Sequence, residues 1–444
     1  MFCSQCGSEN EDGASFCTRC GANIDRGIAP WQPGAKVPPK SKTNTLIAVI
    51  AVIAVISAGA IGYIVWTSPG GEPFVADEYI LYADGDVGSG AIAISSDPSD
   101  TDPTDGSCVV TFTMNAESLG GYTWGVRSLD QALYQYDGAS TYVYTGHSMP
   151  DAATLGDDGR TMTCTLDPGH YSVMVQVNGR TYSGTFVLQG EVVRNYSWTF
   201  DPTYSADGTG GIDFTLEFKF QYGDCLPAVE YTGKRGISDV STIGDLIAYF
   251  VYDSEVVTEL EEELAALYYE GTSLAATAGS YDYASFILTF VQEEFSYPDA
   301  TSDGEEWGPD ELLYGTDEYW AFPTETIMQG AGDCEDTSLL CALLFKAAGY
   351  DAAVAIVPGH AMAGVGLTAS PYSHPTTSYV GEYQIFQTVS IDGVWTKYYG
   401  CETTTDIQYH IGYTSVKYED RPLTDWVGPV TVGLPTGMDG FYPI

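Results

Sequence analysis

The sequence predicts a multidomain chain: a four-cysteine metal module, a single transmembrane helix, an all-β sandwich of Ig-like type, and a terminal α+β domain. Three observations carry this. Four of the ten cysteines fall in two CxxC pairs within the first 20 residues. A stretch of 22 residues, 45–66, has no charge. After it, short alternating apolar runs give way near residue 235 to helical spacing.

Charge divides the chain at that uncharged stretch. The 444 residues carry a formal net charge of −44. Residues 1–44 hold five basic and four acidic side chains, leaving 11 of the 16 basic and 56 of the 60 acidic residues for residues 67–444. An ectodomain this acidic repels phosphate backbones, so no nucleic acid is expected as its partner. With 44% hydrophobic and 13% aromatic residues, the chain has enough apolar surface for large cores, which excludes a mostly disordered protein.

The first module spans residues 1–24. Cys3 and Cys6, then Cys17 and Cys20, are each followed by glycine. Four thiolates at this spacing close a tetrahedral zinc site, and about 24 residues need a metal to fold because they cannot build a core. Two disulfides are the alternative, disfavoured in a cytoplasmic setting. The segment resembles the short zinc ribbons at the N-termini of many prokaryotic membrane proteins. Four cysteine ligands leave no open position, so the zinc is structural; the ribbon's partner is unknown. Residues 25–44, with Pro30, Pro33, Pro38 and Pro39, read as a linker.

Residues 45–66 read as a transmembrane helix. At about 1.5 Å per residue they extend roughly 33 Å, enough to cross a hydrocarbon core. The 44-residue leader is too long for an ordinary signal-peptide n-region. Lys36, Lys40 and Lys42 precede the span, and the next basic residue is Arg127. The positive-inside rule then gives a single-pass protein with its N-terminus in the cytoplasm and its bulk outside. Tyr63 and Trp66 suit the outer interface.

Residues 74–225 read as the β-sandwich, with some eight to ten strands at about ten-residue spacing. Asn178-Gly179 between two apolar runs predicts a primed hairpin turn. Asp97, Asp100, Asp102 and Asp105 crowd one loop and could hold Ca²⁺, but the spacing fits no EF-hand loop and a solvated acidic turn is the commoner explanation. Cys108 and Cys164 could bridge two strands.

Residues 235–430 form the α+β domain. Helical spacing covers 243–252, 255–269 and 281–295. Gly330 and Gly332 then punctuate a loop, Asp333 stands as an N-cap, and Gly349 ends the next helix. Asp336 is expected to complete a capping box. Cys334 is therefore the first residue of a helix, where free N–H groups and the macrodipole favour a thiolate. Glu335 and Asp336 act against this by their charge, though 100° per residue turns Glu335 away from the thiol. Two strands follow, with His360 on the second, and an Asp392-Gly393 hairpin leads to Glu402. A helix-tip Cys, a strand His and a strand Glu are the parts of a thiol–imidazole–carboxylate triad.

Gly332-Asp-Cys334-Glu-Asp336, Gly359-His360-Ala361 and Glu402-Thr-Thr404 together resemble the transglutaminase-like superfamily, in its microbial GDCED branch, which shares its active-site logic with papain-like cysteine proteases. Phe290-Val-Gln292, Tyr297 and Phe322-Pro-Thr-Glu-Thr326 also match that branch; the likeness covers about residues 240–415. It implies Cys334 as nucleophile, His360 as the base that later protonates the leaving group, and Glu402 as the group fixing the imidazole tautomer. The Cys334 N–H would help hold the oxyanion, with Gln329 or Trp320 as sources of a second donor. The substrate would be a peptide or protein outside the cell. Water as acceptor gives hydrolysis and an amine gives transfer; relatives in this superfamily are more often hydrolases. The sequence departs from many relatives by Glu402 in place of Asp and by Cys401 before it. The competing expectation is an inactive ectodomain of this fold serving in adhesion or as a scaffold.

Six cysteines lie outside the predicted membrane: 108, 164, 225, 334, 341 and 401. A free Cys334 leaves five, so at least one more is unpaired. An exposed catalytic thiol predicts a reducing habitat or a shielded site.

Overall fold

The computed structural model describes residues 79–444, apart from 98–106, 119, 132, 137–141, 145, 151, 203–209, 232, 234, 237–242, 253, 303–304, 358, 372–382, 392, 405–408, 415–429 and 432–439. The predicted ribbon with Cys3, Cys6, Cys17 and Cys20, the linker and the 45–66 span lie outside the described residues, as does most of the Asp97–Asp105 loop. Among the described residues no helix is long and apolar enough to cross a membrane.

The strands of the first half are β1 (Ile80–Ala83), β2 (Ile92–Asp97), β3 (Cys108–Met114), β4 (Tyr122–Ser128), β5 (Tyr134–Tyr136), β6 (Tyr142–Tyr144), β7 (Thr154–Leu155), β8 (Thr161–Leu166), β9 (Gly169–Val177) and β10 (Arg180–Leu188). They build two four-stranded sheets, ordered β1-β10-β9-β4 and β2-β3-β8-β7. The strict alternation of β3 and β9 puts Val110, Phe112, Val173 and Val175 in a shared core, where Phe112 meets Trp124 and Phe186. Asn178 and Gly179 both take positive φ, +51° and +76°, as the primed turn between β9 and β10 requires. Cys108 and Cys164 lie on neighbouring strands of one sheet, two registers apart, both buried and unbridged. Burial pushes the Cys164 thiol up to about 11, so it behaves as an apolar side chain.

Next comes a long hairpin of β11 (Glu191–Phe200) and β12 (Ile212–Gln221). Its inward face (Tyr196, Trp198, Phe200, Phe214, Phe218) does not join the sandwich core. It packs with the helices α4 (Glu255–Thr272) and α5 (Tyr281–Glu294), as in the edge contact of Trp198 on Phe290 at 5.0 Å. Three shorter helices precede these: α1 (Gly85–Gly88), α2 (Leu226–Val229) and α3 (Ile243–Phe250).

Beyond α5 run β13 (Ala300–Ser302), β14 (Glu305–Trp307), α6 (Pro309–Leu313), α7 (Pro323–Gln329) and α8 (Cys334–Ala347). The chain closes with β15 (Ala352–Val357), β16 (His360–Gly366), β17 (Tyr383–Gln384), β18 (Phe386–Ile391), β19 (Val394–Cys401), β20 (Tyr413–Thr414), β21 (Val430–Thr431) and β22 (Gly440–Pro443). Six of these form one sheet, ordered β21-β18-β19-β16-β15-β22, antiparallel except for β18 with β21. Helix α8 covers one face: its Leu340, Cys341 and Leu344 share one core with Val354, Ile356, Ala361, Ala363 and Cys401 of the sheet. Ala353, Ala355, Met362 and Phe441 fill a second small core on the other face. Strand β15 is buried on both sides, which accounts for its uninterrupted apolar sequence AAVAIV.

Candidate active site

Helix α8 begins as its sequence dictates. The Asp333 carboxylate accepts hydrogen bonds from Glu335 N (3.1 Å) and Asp336 N (3.4 Å). Gly349, at φ +81°, follows the last turn. From Glu335 to Phe345 every residue is buried, so the helix is enclosed on all sides rather than on two. The capping box does not form. Asp336 turns outward from the helix start and accepts the Ala321 N–H at 2.7 Å, tying α8 to the segment before α7.

His360 opens β16, and Glu402 follows the last residue of its neighbour β19. Pairing of Ala363 with Cys401 sets both at the same end of the sheet, where the tip of α8 also ends. His360 Nε2 and Glu402 Oε1 are 2.6 Å apart. Glu402 is 4% exposed, and its main-chain carbonyl accepts from Gln292 Nε2 at 2.7 Å. The next residue, Thr403, locks this segment to α8. Thr337 Oγ1 donates to Asp333 O at 2.7 Å, so it must accept from Thr403 Oγ1 at 2.9 Å, and Thr403 in turn accepts from Ser338 Oγ at 3.1 Å. Three hydroxyls thus form one directed chain between α8 and the Glu402 segment.

The thiol of Cys334 reaches this corner but meets a different part of it. Alternation along β16 directs Ala361, Ala363 and Val365 towards α8 and Met362 away from it, and the Ala361 N–H acts on the sulfur by favouring its thiolate. His360 and Glu402 stand in the alternate set, at the rim of the sheet. The thiol itself donates to Glu335 Oε2 at 3.1 Å, and among the described residues it makes no hydrogen bond to His360. The expectation that Glu335 turns away is therefore corrected. The helical period fixes where Cβ points, but a glutamate side chain is long enough to fold back.

Burial, then the charges of Glu335 and Asp333, push the Cys334 thiol well above its ordinary range, against the Ala361 N–H. Glu335 is itself pushed well up by burial and by Asp333. Tyr297, beside them, is raised to about 12 by burial and the Cys334 charge. Cys334 stays partly accessible, whereas Cys108, Cys164, Cys225, Cys341 and Cys401 are buried; none of the six is in a disulfide.

Of the two side chains expected to supply an oxyanion donor, Trp320 is 1% exposed and its indole N–H donates to Glu318 at 3.2 Å. Gln329 lines a cavity with Asp130 and Arg194. The remaining donor is the Cys334 N–H, which has no intrahelical acceptor at the first helical position. Gln292 and Thr403 were not recognised as site residues from sequence. Gln292 had a signal: a polar side chain directly after the apolar run Phe286–Val291.

Residues 2–24 match the family model of a zinc-ribbon domain. The N-terminus is thus a zinc ribbon, and its donor set of Cys3, Cys6, Cys17 and Cys20 suits Zn²⁺. No transglutaminase-like family model matches, and no curated protein or solved structure matches the chain. What these comparisons support is a zinc ribbon followed by a β-rich body.

Proposed function

We propose that this protein is a membrane-anchored cell-surface thiol enzyme of transglutaminase-like type that cleaves or transfers acyl groups at peptide or amide bonds. Residues 45–66 hold it in the membrane, the ribbon lies in the cytoplasm, and the substrate is a peptide or protein outside. The observation that carries this reading is the His360–Glu402 pair, Nε2 to Oε1 at 2.6 Å, at the end of the sheet where the helix-tip Cys334 feels the N–H of Ala361, the residue after His360.

In the reaction His360 Nδ1 accepts the thiol proton, and the sulfur forms a bond to the carbonyl carbon. The C–N bond then breaks, and His360 returns the proton to the departing amine. Water or an amine attacks the thioester, releasing the acyl group and restoring the thiol. Glu402, holding Nε2–H, keeps Nδ1 as the accepting nitrogen. The Cys334 N–H faces the developing oxyanion. The chemistry requires the imidazole to turn from the rim towards the sulfur when substrate arrives. Catalytic hydrogen bonds commonly close only in that complex.

A second reading is an inactive ectodomain of the same fold, used for adhesion or as a scaffold. The observation favouring it is the thiol's hydrogen bond to Glu335 in place of His360. One experiment separates the two. The full chain in membranes is treated with a thiol-directed probe that mimics an amide, beside Cys334→Ala. Labelling that depends on Cys334 supports the enzyme; equal labelling of both proteins removes it.

A further inference from the structure

We propose that the cleft between the sandwich and helices α2, α6 and α7 binds a small organic acid with two carboxylates, one held by Arg127 and His170 and the other by Arg194. The cleft has two adjoining lobes of about 420 and 540 Å³. Each is within the size range of small-molecule sites. Arg127 and His170 line the first lobe and Arg194 the second, while Ser128, Asp130, Gln131, Met328 and Gln329 line both.

Basic residues are scarce beyond the uncharged stretch, 11 among residues 67–444, yet Arg127, Arg194 and Arg235 all line this one cleft. Of the three, Arg235 is neutralised by Glu325 at 2.6 Å. Arg127 and Arg194 form no ion pair among the described residues. The Nε of each is buried with no hydrogen-bond partner. A guanidinium stays charged at every attainable pH, so it cannot relieve its burial by losing a proton. Water can accept the N–H, but only an anion also answers the charge, and a carboxylate matches the planar fork.

The sheet brings Arg127 and His170 together. Arg127 of β4 pairs with Ser172 of β9, two residues beyond His170, so the two side chains are diagonal neighbours on one face. Trp124, Val126, Tyr171 and Val173 take the sandwich core, which leaves Arg127 and His170 on the opposite face. His170 Nε2 is likewise buried with no partner. In the tautomer with its hydrogen on Nε2, the ring adds a second donor beside Arg127.

The acids already lining the cleft do not supply the missing charge. Glu325 is taken by Arg235, and Glu191 lies 3.5 Å from Lys219. Asp167 has a partner of its own. Asp130 accepts at both oxygens, from His170 N and Tyr222 Oη, and burial raises it to about 7, so near neutrality much of it is uncharged. Met328 offers an apolar wall to the carbon chain of a ligand, and Gln131 and Gln329 offer amides to its polar atoms. The site does not depend on whether Cys334 is catalytic.

The test is a calorimetric titration of the full chain in detergent, with zinc present for the ribbon. The probes are N-acetylglutamate with two carboxylates, N-acetylglutamine with one, and the neutral N-acetylglutamine amide. N-acetylglutamate is expected to bind, N-acetylglutamine to bind about tenfold more weakly, and the amide to give no heat of binding. Arg127→Gln and Arg194→Gln should each weaken N-acetylglutamate by about tenfold or more and should no longer distinguish the two acids. Without ligand both variants should melt at or above the wild-type temperature, since each removes an unpaired charge. A marked drop would give that arginine a structural partner and overturn its role as an anchor. In the wild type alone, absence of binding, or equal binding of N-acetylglutamate and the neutral amide, overturns the proposal. Unaltered binding in both variants does so too, and sulfate binding as tightly as N-acetylglutamate overturns the choice of an organic acid.

Discussion

His360 and Glu402 are joined through Nε2 and Oε1 at 2.6 Å, which leaves Nδ1 as the ring nitrogen with no partner among the described residues. Under the proposed function the two nitrogens have distinct tasks: one is held, the other takes the proton from the thiol. Glu402→Gln keeps the shape but can present its amide N–H₂ to the ring and hold the wrong tautomer. Under the proposed function, the rate of labelling by the amide-mimicking probe should fall on the order of 10²-fold or more. An unchanged rate would show that the pair is structural.

Glu335 is the charge nearest the thiol and its hydrogen-bond acceptor. It raises the thiol, so Glu335→Gln should lower it and make Cys334 more nucleophilic near neutral pH. Alkylation by iodoacetamide, followed across pH, should show its rising limb displaced to lower pH in the variant. A displacement in the opposite direction would mean that Glu335 assists the thiol instead.

Thr403 is the middle of the hydroxyl chain that fastens the Glu402 segment to α8. Thr403→Val preserves shape and removes both bonds, leaving the Ser338 hydroxyl buried without its partner. A loss of about 1–3 kcal/mol in urea unfolding is expected, with slower labelling of Cys334. Rescue by Thr403→Ser should restore both.

Asp130 is a buried carboxyl that accepts from His170 N at 2.6 Å and Tyr222 Oη at 2.7 Å. Burial, opposed by these bonds and by Arg194 and reinforced by Glu325, raises it from 3.8 to about 7. The folded chain therefore keeps a proton that the unfolded chain releases between those values, and stability falls as pH rises through that window. His170, lowered to about 4 by burial, acts in the opposite sense over part of the same range. Comparison with Asp130→Asn isolates the carboxyl. The variant mimics the protonated acid, so its melting temperature relative to wild type should climb from about pH 4 to about pH 7 and then level off. A constant difference would contradict the buried charge.

Zinc content should follow the four N-terminal thiols. Cys6→Ser is expected to reduce bound zinc, measured by elemental analysis, to background, with alkylation of Cys334 unaltered. Retained zinc would place the metal elsewhere.

Much of the site was legible because its signals are local. Asp333, Gly349 and the apolar run between them define α8, and Asn178-Gly179 defines a turn whose φ values follow from the residue types. What was not legible depends on reach and on partners distant in sequence. Asp336 could cap its own helix or bind Ala321 N, and spacing cannot choose between them. Glu335 was misjudged because periodicity describes the backbone and not the end of a flexible side chain.

The β11–β12 hairpin leaves the sandwich two residues after Leu188 and lays its aromatic face among α4 and α5. The helices cannot melt far without uncovering this ribbon, which the sandwich holds by chain connection. A protease cut in the short joint before Glu191 would free the sandwich, whereas one after Gln221 would strip the helices of their cover. The hairpin belongs by connection to one half and by packing to the other, so mechanical tension on the strands can reach the helices that carry the thiol.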